Sequence, residues 1–172
     1  MISIRNAKNA KLGLIEMCRM IETRGTIVEI GSYVGDSTEI FARHFKQVIA
    51  IDPWVNGYDD EDAASYQHDM SIIEAQFDEM AKNYENIVKI KAKSIDAVTQ
   101  IADGSIDVVY IDGLHTRDGV TQDREAWLSK IKPGGYLCGH DYQSKFQGVI
   151  DAVNEFRKPD HIFKDTSWLI KL

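Results

Sequence analysis

The stretch TIVEIGSYVGDST, residues 26–38, reads as a strand, a turn and the start of a helix. Thr26, Ile27, Val28 and Ile30 form a short run of strand-forming residues that stops at Gly31. A helical pattern takes over at residues 37–45. The same alternation continues outward. Upstream, Leu14, Ile15, Cys18 and Ile21 lay an apolar stripe along a helix over residues 6–23, stopped by Arg24 and Gly25. Downstream, strands are expected at 47–51, 87–90, 106–111 and 136–138, and helices at 70–84, 95–101, 119–131 and 147–156. Residues 54–67 lose the period and read as an exposed loop; Lys132-Pro133-Gly134-Gly135 reads as a tight turn. Strands with continuous apolar cores, alternating with helices, predict an α/β fold: a mostly parallel sheet with helices on both faces. The last two strands, at 161–164 and 168–171, lie too close for a crossover and are expected as an antiparallel hairpin.

A chain of 172 residues is expected to be one domain, 1–172. Its net charge of −7 argues against nucleic acid or an anionic membrane as a partner, since both are held through Lys and Arg. Cys18 and Cys138, each among apolar neighbours, fit buried thiols of a cytoplasmic protein better than a disulfide scaffold. No apolar run reaches the ~18 residues that span a bilayer, and the opening MISIRNAKNAKLG lacks the apolar centre of a secretory leader.

The loop after the first strand carries the first functional signal. Ligands of open α/β sheets bind at the carboxyl ends of strands, and Gly31 and Gly35 let the backbone pass close to one. A dinucleotide site calls for Gly-x-Gly-x-x-Gly. Here the spacing is Gly-x-x-x-Gly, the middle is bulky, and Asp36 places negative charge where a diphosphate would sit. A phosphate-free cofactor with a positive centre, such as S-adenosylmethionine, fits better. Asp52 ends the second strand about 20 residues later, where a carboxylate accepts both hydroxyls of a ribose. Asp52 would serve NAD equally well, and before Pro53 it is also a common turn former. Trp54 could cover an adenine face or simply pack in the loop.

VEIGSYVGDST, IDPW, DVVYIDGLH and KPGGYLCGHDY, in this order and spacing, resemble the class I S-adenosylmethionine-dependent methyltransferases. They are most similar to the group that includes the macrolide-sugar (macrocin and mycinamicin type) O-methyltransferases. The resemblance covers residues 23–172 and implies a Rossmann-like, doubly wound seven-stranded sheet with a reversed last strand. It implies that Glu29, Gly31, Ser32 and Gly35 frame the methionine part of the cofactor, that Asp52 holds the ribose, and that Ser94 lies near the adenine.

Asp112 ends the fourth strand, and His140 and Asp141 end the fifth. Adjacent strands lie ~4.8 Å apart, so these side chains are expected to converge beside the cofactor's methyl group. Converging carboxylates repel unless they share a proton or cation. A divalent cation, Mg²⁺ or another, held by Asp112, His140 and Asp141 would also acidify a substrate hydroxyl. Catechol O-methyltransferases place Asp-Asn where this chain has His140-Asp141; histidine admits Mn²⁺ or Fe²⁺. His115, three residues beyond Asp112, is placed to take a hydroxyl proton. The resemblance implies the same role for His115. Asp112 stands beside it, Asp123 on the following helix could orient it, and His140 is the competing base if it binds no metal. His115 could instead fix its loop through Asp123 or a backbone carbonyl. The acidic run Asp59-Asp60-Glu61-Asp62 reads as solvated loop, although residues 54–70 could form a mobile lid. The function expected is O-methylation of a small hydroxylated molecule, such as a sugar. An NAD-type oxidoreductase and a non-catalytic nucleoside-binding module are the alternatives. The expected partners are a small-molecule methyl acceptor and, as an open option, a second copy of the chain in a homo-oligomer.

Overall fold

The computed structural model describes residues 8–61 and 63–172. Helix α1 (Lys8–Met20) leads into strand β1 (Thr26–Ile30), helix α2 (Asp36–Ala42) and strand β2 (Gln47–Asp52). A single helical turn, α3 (Ala64–Gln67), precedes helix α4 (Met70–Ala81) and strand β3 (Ile87–Lys91). Then come α5 (Ser94–Ala97), β4 (Ile106–Ile111), α6 (Arg117–Leu128) and β5 (Ile131–Gly139). Helix α7 (Gln147–Phe156) and strands β6 (His161–Ile162) and β7 (Trp168–Lys171) close the chain. Among the described residues the strands form one seven-stranded sheet in the order β3-β2-β1-β4-β5-β7-β6. Strands β1 to β5 pair in parallel, and β7 runs antiparallel to both its neighbours. This is the Rossmann-like, doubly wound architecture with the reversed strand supplied by the terminal hairpin.

Successive residues of a strand face opposite sides of the sheet, and here both sides are covered. Val28, Ile30, Val109, Ile111 and Leu137 pack with Trp127, Val149 and Val153 of α6 and α7. Ile27, Val108, Tyr110 and Cys138 pack on the other side with Leu14, Cys18 and Phe41 of α1 and α2. Each fully buried large apolar side chain contributes about 1.5–3 kcal/mol. All six residues of β4 are buried, which is why IDVVYI takes the middle of the sheet rather than an edge.

Several boundaries depart from the sequence expectations. Strand β5 begins at Ile131, not at 136, because Pro133, Gly134 and Gly135 form a bulge inside it. Ile106 pairs with Ile131, and the register then jumps to Val108 with Tyr136. Helix α6 begins at Arg117 because the Thr116 hydroxyl caps it, accepting from the Gly119 N–H at 3.0 Å. The aperiodic segment holds α3, and α1 ends at Met20. Residues 6 and 7, expected to open that helix, lie outside the described residues.

The parallel strands all end on one edge of the sheet. The chain leaves β1 for β2 on one side and returns to β4 on the other, so a crevice opens between the ends of β1 and β4. There the loops are pressed together. The Gly31 N–H donates to the Ile51 carbonyl and the Asp112 N–H to the Ile30 carbonyl, each at 2.8 Å. Gly31 has φ 89°, and a Cβ on it would lie 2.0 Å from the Asp112 carbonyl oxygen. Gly31→Ala is therefore expected to cost about 1–3 kcal/mol from backbone strain alone, and more from the clash. Urea unfolding measures it; an unchanged midpoint would contradict this close approach.

Candidate active site

A cleft of about 350 Å³ lies over the carboxyl ends of β1, β2, β4 and β5. Gly31, Ser32, Asp52 and Ser94 line the side toward β2 and β3, while Asp112, His115, His140 and Asp141 line the side toward β5. Most of the residues singled out from the sequence therefore meet in one cavity.

The β1–α2 loop is held from beneath. Glu29 is fully buried, and its Oε2 accepts from the Ser32 hydroxyl at 2.9 Å and from the Thr38 hydroxyl. Burial pushes its carboxyl up to about 7, against the hydroxyl bonds that favour the anion. Glu29 does not line the cleft; it positions Ser32, which does. Gly35 is also off the cleft surface. At φ 90°, a Cβ there would meet the Met80 methyl of α4 at 2.2 Å, so its glycine serves the packing of α4.

Asp52 is buried at the end of β2 and faces the cleft. Its two oxygens accept from the Tyr33 N–H at 2.9 Å and the Trp54 N–H at 2.7 Å. Burial raises its pKa, opposed by these amides. Each oxygen keeps a second lone pair for a ligand hydroxyl. Of the two readings open for Trp54, the structure shows the packed one. Its indole is turned into the core against Phe77, with ring centroids 5.0 Å apart, and Nε1 donates to the Tyr33 carbonyl at 2.9 Å. A left-handed backbone at φ 46° and the bond to Asp52 aim the side chain away from the cleft. Val55 and Tyr58 line the cleft instead.

The strand β4 and β5 ends converge around one imidazole. His115 donates from Nδ1 to Asp59 Oδ2 at 2.5 Å and from Nε2 to Asp141 Oδ2 at 2.9 Å. Its ring stacks on Phe146 at 4.3 Å. Burial disfavours the imidazolium, but hydrogen bonds to Asp141 and Asp59 and the charges of Asp141 and Asp112 outweigh it, and the pKa rises to about 10. Asp141, against its own burial, is held well below the usual carboxylate range by bonds to His115 and His140. Asp59 is likewise lowered, its burial outweighed by His115. His140 Nδ1 lies 3.1 Å from Asp141 Oδ2 and 3.7 Å from Asp112 Oδ1. Asp141 sits at φ 58°, a left-handed conformation that re-aims its carboxylate as β5 ends.

Among the described residues, Asp112, His115 and Asp141 each offer one ligand atom, all within 4.8 Å of one another. The sequence had grouped His140 with the two acids; the geometry that gathers three ligands has His115 in that place. Asp123, expected to orient His115, does not reach it. Nearly two turns into α6, it is buried next to Ser94 on the opposite side of the cleft, and burial raises its pKa to about 6 against the bond from Ser94. The Ser94 hydroxyl also accepts from the buried Trp127 Nε1 at 2.7 Å. Asp59 is the residue that sequence reasoning missed. It lay in an acidic run, and nothing local distinguishes it from Asp60.

Fold and cleft together define an α/β domain with a nucleoside-cofactor site at its switch point. The chain belongs to the methyltransferase domain family, whose model matches residues 28–142, and is an S-adenosylmethionine-dependent methyltransferase domain. It is 28% identical over 131 residues to the uncharacterized protein y4gI of Sinorhizobium fredii. It is 29% identical over 138 residues to the uncharacterized protein R132 of Acanthamoeba polyphaga mimivirus. These matches take 71% and 76% of the chain but only 14% and 58% of the relatives' lengths. Similar solved structures include an O-methyltransferase of Bacillus cereus bound to S-adenosylhomocysteine, with TM-score 0.64, 15% identity and 97% and 82% of the two chains covered. Another is an rRNA methylase of Streptococcus thermophilus, with TM-score 0.60, 14% identity and 95% of each chain covered. A third is a precorrin 8w decarboxylase of Methanobacterium thermoautotrophicum, with TM-score 0.62, 14% identity and 94% and 84% covered. At such identities the likeness is one of fold. None of the described helices is long and apolar enough to cross a membrane.

The His115 clamp makes a pH prediction. A folded-state pKa of about 10, above the ordinary histidine value of 6.5, contributes stability that is fully present below 6.5 and lost as pH rises through about 10. In metal-free buffer, urea unfolding of the native chain should lose stability between pH 7 and 10 more steeply than that of His115→Gln. Equal losses in both would contradict an imidazolium in the clamp.

Proposed function

We propose that this chain transfers the methyl group of S-adenosylmethionine to a hydroxyl oxygen of a small acceptor. The observation that carries the reading is the convergence of Asp112, His115 and Asp141 within 4.8 Å at one side of the cofactor cleft. A hydroxyl needs a group to take its proton as it attacks. The O-methyltransferase of Bacillus cereus with the same fold supports oxygen as the acceptor atom. A sugar hydroxyl is the narrower reading, supported by the resemblance to macrolide-sugar enzymes.

In this reading Asp52 accepts from the ribose, Ser94 and Asp123 flank the adenine, and Gly31 and Ser32 border the methionine part. The reaction is an in-line displacement. The acceptor oxygen forms a bond to the methyl carbon as the carbon–sulfur bond breaks, and its electron pair returns to sulfur, leaving S-adenosylhomocysteine. The acceptor's proton goes to the clamp. Nε2 of His115 donates to Asp141 at 2.9 Å, so it acts as base only from the neutral ring: the Nε2 proton first leaves to solvent, and the acceptor hydroxyl takes the place of Asp141. Most of the protein's contribution is alignment.

The cluster also fits a divalent cation by its donor set. Two carboxylate oxygens and one imidazole nitrogen suit Mn²⁺ or Fe²⁺ better than the all-oxygen preference of Mg²⁺. Asp112, His115 and Asp141 would hold it in place of the base mechanism above, with His140 at their edge; its charge would lower the pKa of the acceptor hydroxyl, and with Nε2 of His115 taken as a ligand the proton would pass to His140 or solvent.

Calorimetry tests the reading without a known acceptor. S-adenosylhomocysteine is expected to bind saturably and NAD not at all; the reverse would make the chain an oxidoreductase. Asp52→Ala should weaken S-adenosylhomocysteine by about 1.5–3 kcal/mol, the worth of hydrogen bonds to a charged group. Unchanged affinity would remove Asp52 from the site. Titration of Mn²⁺ into the cofactor-bound chain should show a site that Asp112→Asn abolishes. Its persistence in that variant would place the cation elsewhere.

A further inference from the structure

Asp59 has no part in the cofactor reading, yet it makes the shortest bond to the imidazole at the centre of the cluster. Four features set it apart from the acids around it. It is 5% exposed, in a segment where Asp60 and Glu61 are exposed. Its Oδ2 receives both the His115 ring Nδ1–H at 2.5 Å and the His115 backbone N–H at 3.1 Å. Its Oδ1 receives the Glu61 N–H at 2.9 Å. Its main chain is pinned by Ser65, whose hydroxyl donates to the Asp59 carbonyl at 2.9 Å. A solvated loop acid has no need of such fixing; a carboxylate that must hold an imidazole in one orientation does.

We propose that Asp59 is the positioning residue of His115, delivered by the segment between β2 and α4. By accepting from Nδ1 it keeps the proton on that nitrogen and turns Nε2 toward Asp112 and Asp141. In the neutral ring, with the Nε2 proton released to solvent, the Nε2 lone pair is left facing the acceptor. This is the division of labour by which a buried carboxylate orients a catalytic histidine. Phe146 against the ring face removes the remaining rotation. The same segment supplies Val55, Tyr58 and Ser65 to the cleft wall, so the wall that encloses the ligand also aligns the histidine. The proposal rests on the methyl-transfer reading for the role of His115, but the alignment itself is tested independently of it.

The test is proton NMR of the chain labelled with ¹⁵N-histidine. A strongly downfield Nδ1–H resonance is expected, assigned to His115 by its absence from His115→Gln. Asp59→Ala should abolish it. Asp59→Asn, whose amide oxygen still accepts, should retain it at a smaller downfield shift and keeps the test valid if the alanine variant fails to fold. Asp60→Asn is the control: it lies on the same segment but bonds to Tyr66, and it should leave the resonance in place. A resonance unmoved in both Asp59 variants would overturn the proposal. So would its loss in Asp60→Asn, which would show that any loosening of the segment suffices. Binding of S-adenosylhomocysteine to the native chain, measured alongside, tests the methyl-transfer reading separately.

Discussion

The candidate site is organised by one buried cation. His115 places an imidazolium between Asp59 and Asp141, with Asp112 close by. Without it, three carboxylates, two of them buried, would crowd one end of the cleft. Burial of an unpaired charge is costly, and two carboxylates in contact cannot both stay ionised unless something positive lies between them. The ring answers both demands. In doing so it ties three separate parts of the chain together: the end of β4, the end of β5 and the segment after β2.

The fold makes that meeting possible without strain in the sheet. Parallel pairing brings the ends of β1, β2, β4 and β5 to one edge, and the reversal of direction at β1 and β4 opens the crevice between them. Irregular backbone serves the site at two places. Gly31 lets the first loop pass against the Asp112 carbonyl. Asp141 turns left-handed as β5 ends, which lets one of its oxygens serve both His115 and His140. Deep in the loop, Glu29 fixes Ser32 and Thr38 from below, so the cofactor side is stiffened from the core rather than by the ligand.

Much of this was legible in the chain before its structure. Strands buried on both sides leave unbroken apolar runs, so IDVVYI and QVIAI mark the sheet, and residues that end such runs, Asp52, Asp112 and Asp141, fall at the carboxyl edge by geometry alone. What was not legible depends on contacts between distant residues. Asp59 meets His115 across 56 positions, and an acidic run carries no period to reveal which member turns inward. Trp54 leaves two readings open, a cover for the ligand or a packed loop aromatic, because an aromatic after β2 is placed for either; its left-handed backbone sends the ring into the core. Asp123 is expected near His115 because both follow β4, but nearly two turns of helix carry it to Ser94. Strand order places His140 by the two acids, and there it stands, 3.1 Å from Asp141 and 3.7 Å from Asp112; what strand order does not show is that His115 joins them.

A crystal structure of the chain with S-adenosylhomocysteine tests most directly whether the buried cation and the cofactor belong to one site. The ribose should lie on Asp52 and the adenine beside Ser94, with the sulfur directed at the Asp112–His115–Asp141 cluster and His115 still bonded to Asp59. A ligand whose sulfur points away from that cluster, or whose nucleoside lies outside the cleft, would contradict it.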